Sequence, residues 1–123
     1  MTVWTSDELN KIGAVEELQI ASLQRDGTLR NPVTVWVVRH GDNIYVRSVN
    51  GRTAAWFRGS QQRHEGHIWA GAVQKDVAFV EVGDEANDQI DAAYRAKYRR
   101  YPTIVPHIVN AQARSATLKL VPR

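Results

Sequence analysis

The stretch Val33 to Arg58, VTVWVVRHGDNIYVRSVNGRTAAWFR, decides how the rest of the chain folds. Val33, Val35 and Val37 fall on one face of an extended segment and Thr34, Trp36 and Val38 on the other, the pattern of a strand covered on both sides. Gly41-Asp42-Asn43 supplies turn residues, and Ile44 to Ser48 returns antiparallel. Ile44, Val46 and Ser48 share one face of the return strand; Tyr45 and Arg47 share the other. The loop Val49-Asn50-Gly51-Arg52 follows, with Thr53 placed to cap a helix that runs to about Gln61 and carries Trp56.

Upstream, Thr5-Ser6-Asp7-Glu8 fits a capping box, with Trp4 positioned as a hydrophobic staple. Leu9 and Ile12 lie on the turns that follow, and the helix should end near Gly13. From Glu17 to Leu23 apolar and polar residues alternate, which predicts a strand closed by the turn Asp26-Gly27. Downstream, His67 to Val73 and Val77 to Val82 read as two strands joined by Gln74-Lys75-Asp76. An acidic loop, Gly83 to Asp88, leads into a helix over Asp88 to Tyr101 with an apolar stripe of Ile90, Ala93, Tyr94, Lys97, Tyr98 and Tyr101. Pro102 and Pro106 mark an irregular connection, and Thr117 to Val121 forms the last strand. Six strands with little helix between most of them cannot form parallel βαβ units. The expected architecture is mainly β with α: a six-stranded antiparallel barrel with flanking helices, which leaves no exposed edge.

Composition narrows the function. A chain of 123 residues, 43% hydrophobic and 24% charged, is an ordinary globular sequence, expected to form one domain over residues 1–123. It has no Cys, which excludes disulfides, thiolate catalysis and sulfur-ligated zinc. No apolar run approaches a membrane span, and the acidic start MTVWTSDEL does not suit a signal peptide, so a cytoplasmic location is expected. The net charge of +3 hides blocks: seven Arg and no Lys between Arg25 and Arg63, five acids and no base between Glu81 and Asp91. Such blocks attract anions or simply form a solvated face.

No catalytic constellation is apparent. His64-Glu65-Gly66-His67 has the wrong spacing for a zinc helix, so no metal site is expected; His40 and His107 stand alone. The loop from Arg47 to Trp56 is the candidate site. A phosphate needs inward-pointing amides, a Gly that lets the backbone approach, hydroxyls and a guanidinium. Arg47, Ser48, Asn50, Gly51, Arg52 and Thr53 supply these groups, and the helix after Thr53 adds its positive end. The same residues also suit a plain strand-to-helix turn. Trp36, Trp56 and Trp69 could stack on a planar ligand or pack as core, and Lys97 could snorkel or reach an anion.

The run Arg47-Ser48, Asn50-Gly51 and Ala55-Trp56-Phe57-Arg58 resembles the strand-loop-helix core of the flavin-binding split β-barrels, the pyridoxamine-phosphate-oxidase-like proteins, and within them the deazaflavin-dependent nitroreductase branch. That branch carries a basic, glycine-rich segment before the strand matching Val33 to Arg39, for which Arg25 to Arg30 is a loose equivalent. Residues 4–9, 93–98 and 117–123 make the whole chain resemble a family of small bacterial proteins known only as a domain of unknown function. The split-barrel resemblance implies FMN or F420 as cofactor, with Ser48, Asn50, Gly51 and Arg52 on the phosphate, Arg47 nearby, Trp56 beside the ring or the partner subunit, and a homodimer. The implied function is a flavin- or deazaflavin-dependent oxidoreductase acting on no nucleic acid and no membrane. The alternatives are a non-catalytic small-ligand or nucleic-acid binding barrel, or a structural dimer.

Overall fold

The computed structural model describes Val3 to Arg123. Helix α1 (Ser6–Ala14) opens with the expected capping box: Thr5 Oγ1 accepts from the Glu8 amide at 3.1 Å and Glu8 Oε1 from the Thr5 amide at 2.9 Å. Its apolar side buries Leu9 and Ile12. Trp4 joins them in the core and also donates from Nε1 to the Leu120 carbonyl at 3.0 Å, tying the start of the chain to its last strand.

Six antiparallel strands close a barrel in the order β1-β2-β3-β6-β5-β4. They are β1 (Glu17–Ser22), β2 (Val33–His40), β3 (Asn43–Arg47), β4 (Glu65–Ala70), β5 (Val73–Glu81) and β6 (Thr117–Pro122). Ile44, Val46 and Val37 point into the barrel; Tyr45 and Val38 point out, against helix α3 (Asn87–Lys97). The two-sided cover read from the valine pattern is therefore present, with one core inside the barrel and a second beneath α3. Helix α2 (Ala55–Arg63) and the short α4 (Ala111–Arg114) complete the flanking helices. Among the described residues no helix is long and apolar enough to cross a membrane.

Three boundaries differ from expectation. The β4–β5 turn is Gly71-Ala72, and Gln74, Lys75 and Asp76 lie in β5 opposite Trp69, Ile68 and His67. Gly71 adopts φ 60, as Gly41 does in the β2–β3 hairpin, and a left-handed glycine in a two-residue loop matches strand twist. Thr53 does not cap α2: residues Gly51–Thr53 form one 3-10 turn, the cap position is Ala54, and no side chain bonds there. Helix α3 stops at Lys97, with Tyr98 at φ -107 and ψ 25 as its cap, short of the Tyr101 expected from the stripe.

One strand divides the barrel. The first half of β2, Val33 to Trp36, pairs with β1; the second half, Val37 to His40, pairs with β3. At the changeover the Tyr98 hydroxyl accepts from the Val37 amide at 3.0 Å and lies 2.6 Å from the Glu16 carbonyl, filling a place in the ladder that no strand supplies. Its ring stacks on Trp36, centroids 3.8 Å apart and planes 4° from parallel. Burial pushes the phenol's pKa up, so the hydroxyl stays protonated. Tyr98→Phe keeps the stack but strands a buried amide, a loss of about 1–3 kcal/mol. Urea unfolding should show that decrease, and an unchanged midpoint would mean that the hydroxyl does not bridge the split.

Candidate functional site

The changeover in β2 opens the wall of the barrel. Pairing between β2 and β3 runs as far as Val37 opposite Val46; beyond it Arg47 pairs with Thr117 on β6, while Trp36 pairs with Glu17 on β1. The gap between Trp36 and Arg47 is a cleft of about 450 Å³. Val33, Val35, Trp36 and Trp56 line its walls, Asn50 and Glu17 bring polar groups, and Ile104 and Ile108 close it from the segment after α3.

Arg47 reaches this cleft but spends its charge elsewhere. All five guanidinium donors are engaged: Nε with Thr117 Oγ1 at 2.9 Å, Nη1 with the Asp91 carboxylate and the Ile108 carbonyl at 3.1 Å, Nη2 with Asn87 Oδ1 at 3.0 Å and the Asn87 carbonyl at 3.3 Å. The side chain is buried, and a buried charge is tolerated only when paired and fully hydrogen-bonded. Tyr94 lies beneath it, the guanidinium carbon 5.5 Å from the ring centroid. Arg47 is therefore a strut between β3 and α3, its guanidinium donors all taken by protein acceptors.

Most of the remaining polar groups of the loop are taken up by the protein itself, while the buried Ser48 hydroxyl has no hydrogen-bond partner among the described residues. The Ser48 amide donates to the Ala116 carbonyl at 3.1 Å and the Gly51 amide to the Ser48 carbonyl at 3.0 Å. Gly51, at φ 73, is covered by Gln112: a Cβ there would lie 2.5 Å from Gln112 Cγ. Arg52 leaves the cleft altogether. It bonds Glu81 Oε1 and the Ser115 carbonyl, both at 2.8 Å, over the Phe57 ring, and it holds the Glu81 carboxyl below its usual pKa. The Thr53 hydroxyl donates to the Asn50 carbonyl at 3.3 Å. Of the seven residues singled out in the sequence, Arg47, Asn50 and Trp56 line the cleft; Ser48, Gly51, Arg52 and Thr53 do not.

A second concavity of about 280 Å³ adjoins the cleft, sharing Val33 and Trp56 with it. Here Ser22 Oγ and Arg30 Nε are buried without a hydrogen-bond partner among the described residues. They converge over Gly59, where a Cβ would lie 2.6 Å from the hydroxyl and 2.8 Å from the guanidinium nitrogen. Arg30 Nη2 donates to Gln62 Oε1 at 3.0 Å, and among the described residues no acid lines the pocket. Ala55 and Trp56, the uncapped first residues of α2, form its far wall. Unsatisfied buried donors beside an uncapped helix start favour an anion. Sequence reasoning passed over Ser22 and Arg30; the signal available was Arg30 closing the basic segment ahead of β2.

The sequence profile of DUF2255, described as an uncharacterized protein conserved in bacteria, matches residues 8–120. The chain belongs to that family. No curated protein matches it. Among solved structures, this DUF2255 chain is similar to HutZ, the heme storage protein from Vibrio cholerae, at 16% identity and TM-score 0.67, covering 100% of this chain and 92% of that one. It is also similar to the conserved hypothetical protein Rv2991 from Mycobacterium tuberculosis, at 12% identity and TM-score 0.64, covering 99% and 82% of the two chains. A FAD-binding protein from Mesorhizobium loti matches at 15% identity and TM-score 0.61, covering 98% and 91%. At such identities the likeness is one of fold, and it places the DUF2255 chain among split barrels.

The strut and the surface pair separate by stability. Asp91→Ala leaves the Arg47 guanidinium buried beside a missing carboxylate and should cost roughly 3–5 kcal/mol in urea unfolding. Arg52→Ala removes a half-exposed pair and should cost less than about 1 kcal/mol. Equal losses would refute the division of labour between the two arginines.

Proposed function

We propose that the cleft binds a flat, phosphorylated cofactor of the flavin class, FMN or the deazaflavin F420, and that the protein is a cytoplasmic, homodimeric oxidoreductase. The observation that carries this reading is the pair of joined concavities: an apolar cleft walled by Trp36 and Trp56 for a ring, and beside it the unpartnered Ser22 hydroxyl and Arg30 guanidinium for a phosphate. Trp56 is common to both, so it stands at the junction of ring and tail. Asn50 offers an amide to the ring edge, and Glu17 is the carboxylate among the lining residues that could accept a proton. A bound flavin or deazaflavin would itself supply the hydride chemistry, which accords with the lack of a catalytic triad. Proteins of the same fold include a FAD-binding protein and a heme storage protein. Among the described residues the cleft lining contains no His, Cys, Met or Tyr, the side chains that ligate heme iron, and a metal-free ring suits that lining better.

Val49 and Ile104, on the cleft rim, are 47% and 46% exposed, and a second copy covering them would bury that apolar surface and exclude water from the ring. The nucleic-acid alternative needs open aromatic platforms. Trp36 is stacked against Tyr98, and Trp69 is tilted over His67 with centroids 4.6 Å apart.

Titration of the purified protein with FMN and with F420, followed by cofactor fluorescence, tests the reading. One of the two should bind, and Arg30→Ala should weaken it by roughly 1–3 kcal/mol through loss of a charge-assisted contact. Arg52→Ala should leave the affinity unchanged. Silence with both cofactors at saturation overturns the proposal; binding without turnover of any hydride donor or acceptor leaves a binding module.

A further inference from the structure

Lys97 ends α3 on the side that faces β2, away from the cleft. Its Nζ donates to the Val37 carbonyl at 2.6 Å, and among the described residues no carboxylate lies within 4 Å. Two of the other lysines are neutralised in ion pairs, Lys11 with Asp7 at 3.0 Å and Lys75 with Glu8 at 2.7 Å. Lys97 and Arg39 line an open surface groove of about 350 Å³ against α1, with Leu9, Asn10, Gly13 and Ala14. Arg39 is held in place there: Nε donates to the Gly41 carbonyl and Nη1 to Asn10 Oδ1, both at 2.8 Å. Its stem lies along α1 at Gly13, where a Cβ would come within 3.3 Å of Arg39 Cβ. Among the described residues Nη2 has no hydrogen-bond partner.

An amine and a fixed guanidinium on one open groove, which shares no residue with the proposed cofactor cleft, have a recognisable chemistry. We propose that Lys97 is an imine-forming site for a small aldehyde or ketone that carries a carboxylate or phosphate, with Arg39 holding the anion. The unprotonated Nζ attacks the carbonyl carbon and forms the C–N bond; the carbonyl oxygen then leaves as water with the two amine protons. Burial pulls the Lys97 pKa down to about 8 against the opposing pull of Glu16, which enlarges the unprotonated fraction that the attack needs. The other ionisable groups around it are Arg39 from β2, Tyr98 beside it on the chain, and Tyr101, whose hydroxyl is bonded to the Glu16 carboxylate.

The test is reductive trapping with glyoxylate and cyanoborohydride, with the adduct mapped by peptide mass spectrometry on the full chain. Lys97 should label faster than Lys119 by on the order of tenfold or more, since the unprotonated fraction rises about tenfold per pKa unit. Lys97→Arg, which keeps the charge and the bond to Val37, should abolish the preferred adduct while circular dichroism stays unchanged. Arg39→Ala should slow labelling by glyoxylate several-fold but not labelling by the uncharged glycolaldehyde. Label spread evenly over Lys11, Lys75, Lys97 and Lys119 overturns the site. An Arg39→Ala variant that reacts with glyoxylate as fast as the parent, or loses both reagents equally, overturns the anion's part in it.

Discussion

The buried contact between Arg47 and Asp91 is the constraint on which the rest of the architecture depends. It joins the last residue of β3 to the middle of α3 in a region where water cannot share the charge, so both groups must be saturated by the protein itself. Asn87, Thr117 and the Ile108 carbonyl complete the saturation, which draws β6, the start of α3 and the segment after it onto one guanidinium. Arg114 extends the network on the outer side, its Nη2 2.9 Å from Asp88 and its Nε 3.5 Å from Asp91. The second core under α3 is thereby held at one distance from the barrel.

That position of α3 creates the cleft. With α3 fixed, Tyr98 reaches the place where β2 changes partners, and its hydroxyl substitutes for the missing strand. Trp36 lies flat on the Tyr98 ring, so the cleft wall is set by the helix as much as by the sheet. The opening between Trp36 and Arg47 is thus a consequence of divided strand pairing, stabilised from outside by one aromatic side chain. Adjoining it, Ser22 and Arg30 keep donors buried and unspent, which a fold tolerates when something else completes them.

The strand pattern, the capping box and the valine-rich hairpin were legible because each is a local property: side-chain alternation has period two, and a cap involves residues three apart. The barrel followed from chain economy, since short connections exclude parallel pairing. The loop after β3 was legible as a polar turn but not as to what its groups would bond. Arg47 and Arg52 carry the same guanidinium five residues apart, yet one is enclosed and the other half-exposed. The acidic block before α3 looked like a solvated face, and Asp91 does share the stripe of Ile90 and Tyr94, a sign that one acid would be buried.

By itself, then, the sequence determined the elements, their order, their faces and the family, because these rest on spacing and composition along the chain. Only the tertiary structure decided which arginine is spent as a strut and which keeps a free donor. Arg30, Ser22 and Gly59 come together from β1, the loop before β2 and α2, and a hydrogen-bond partner is a fact about three-dimensional neighbours that no local pattern encodes.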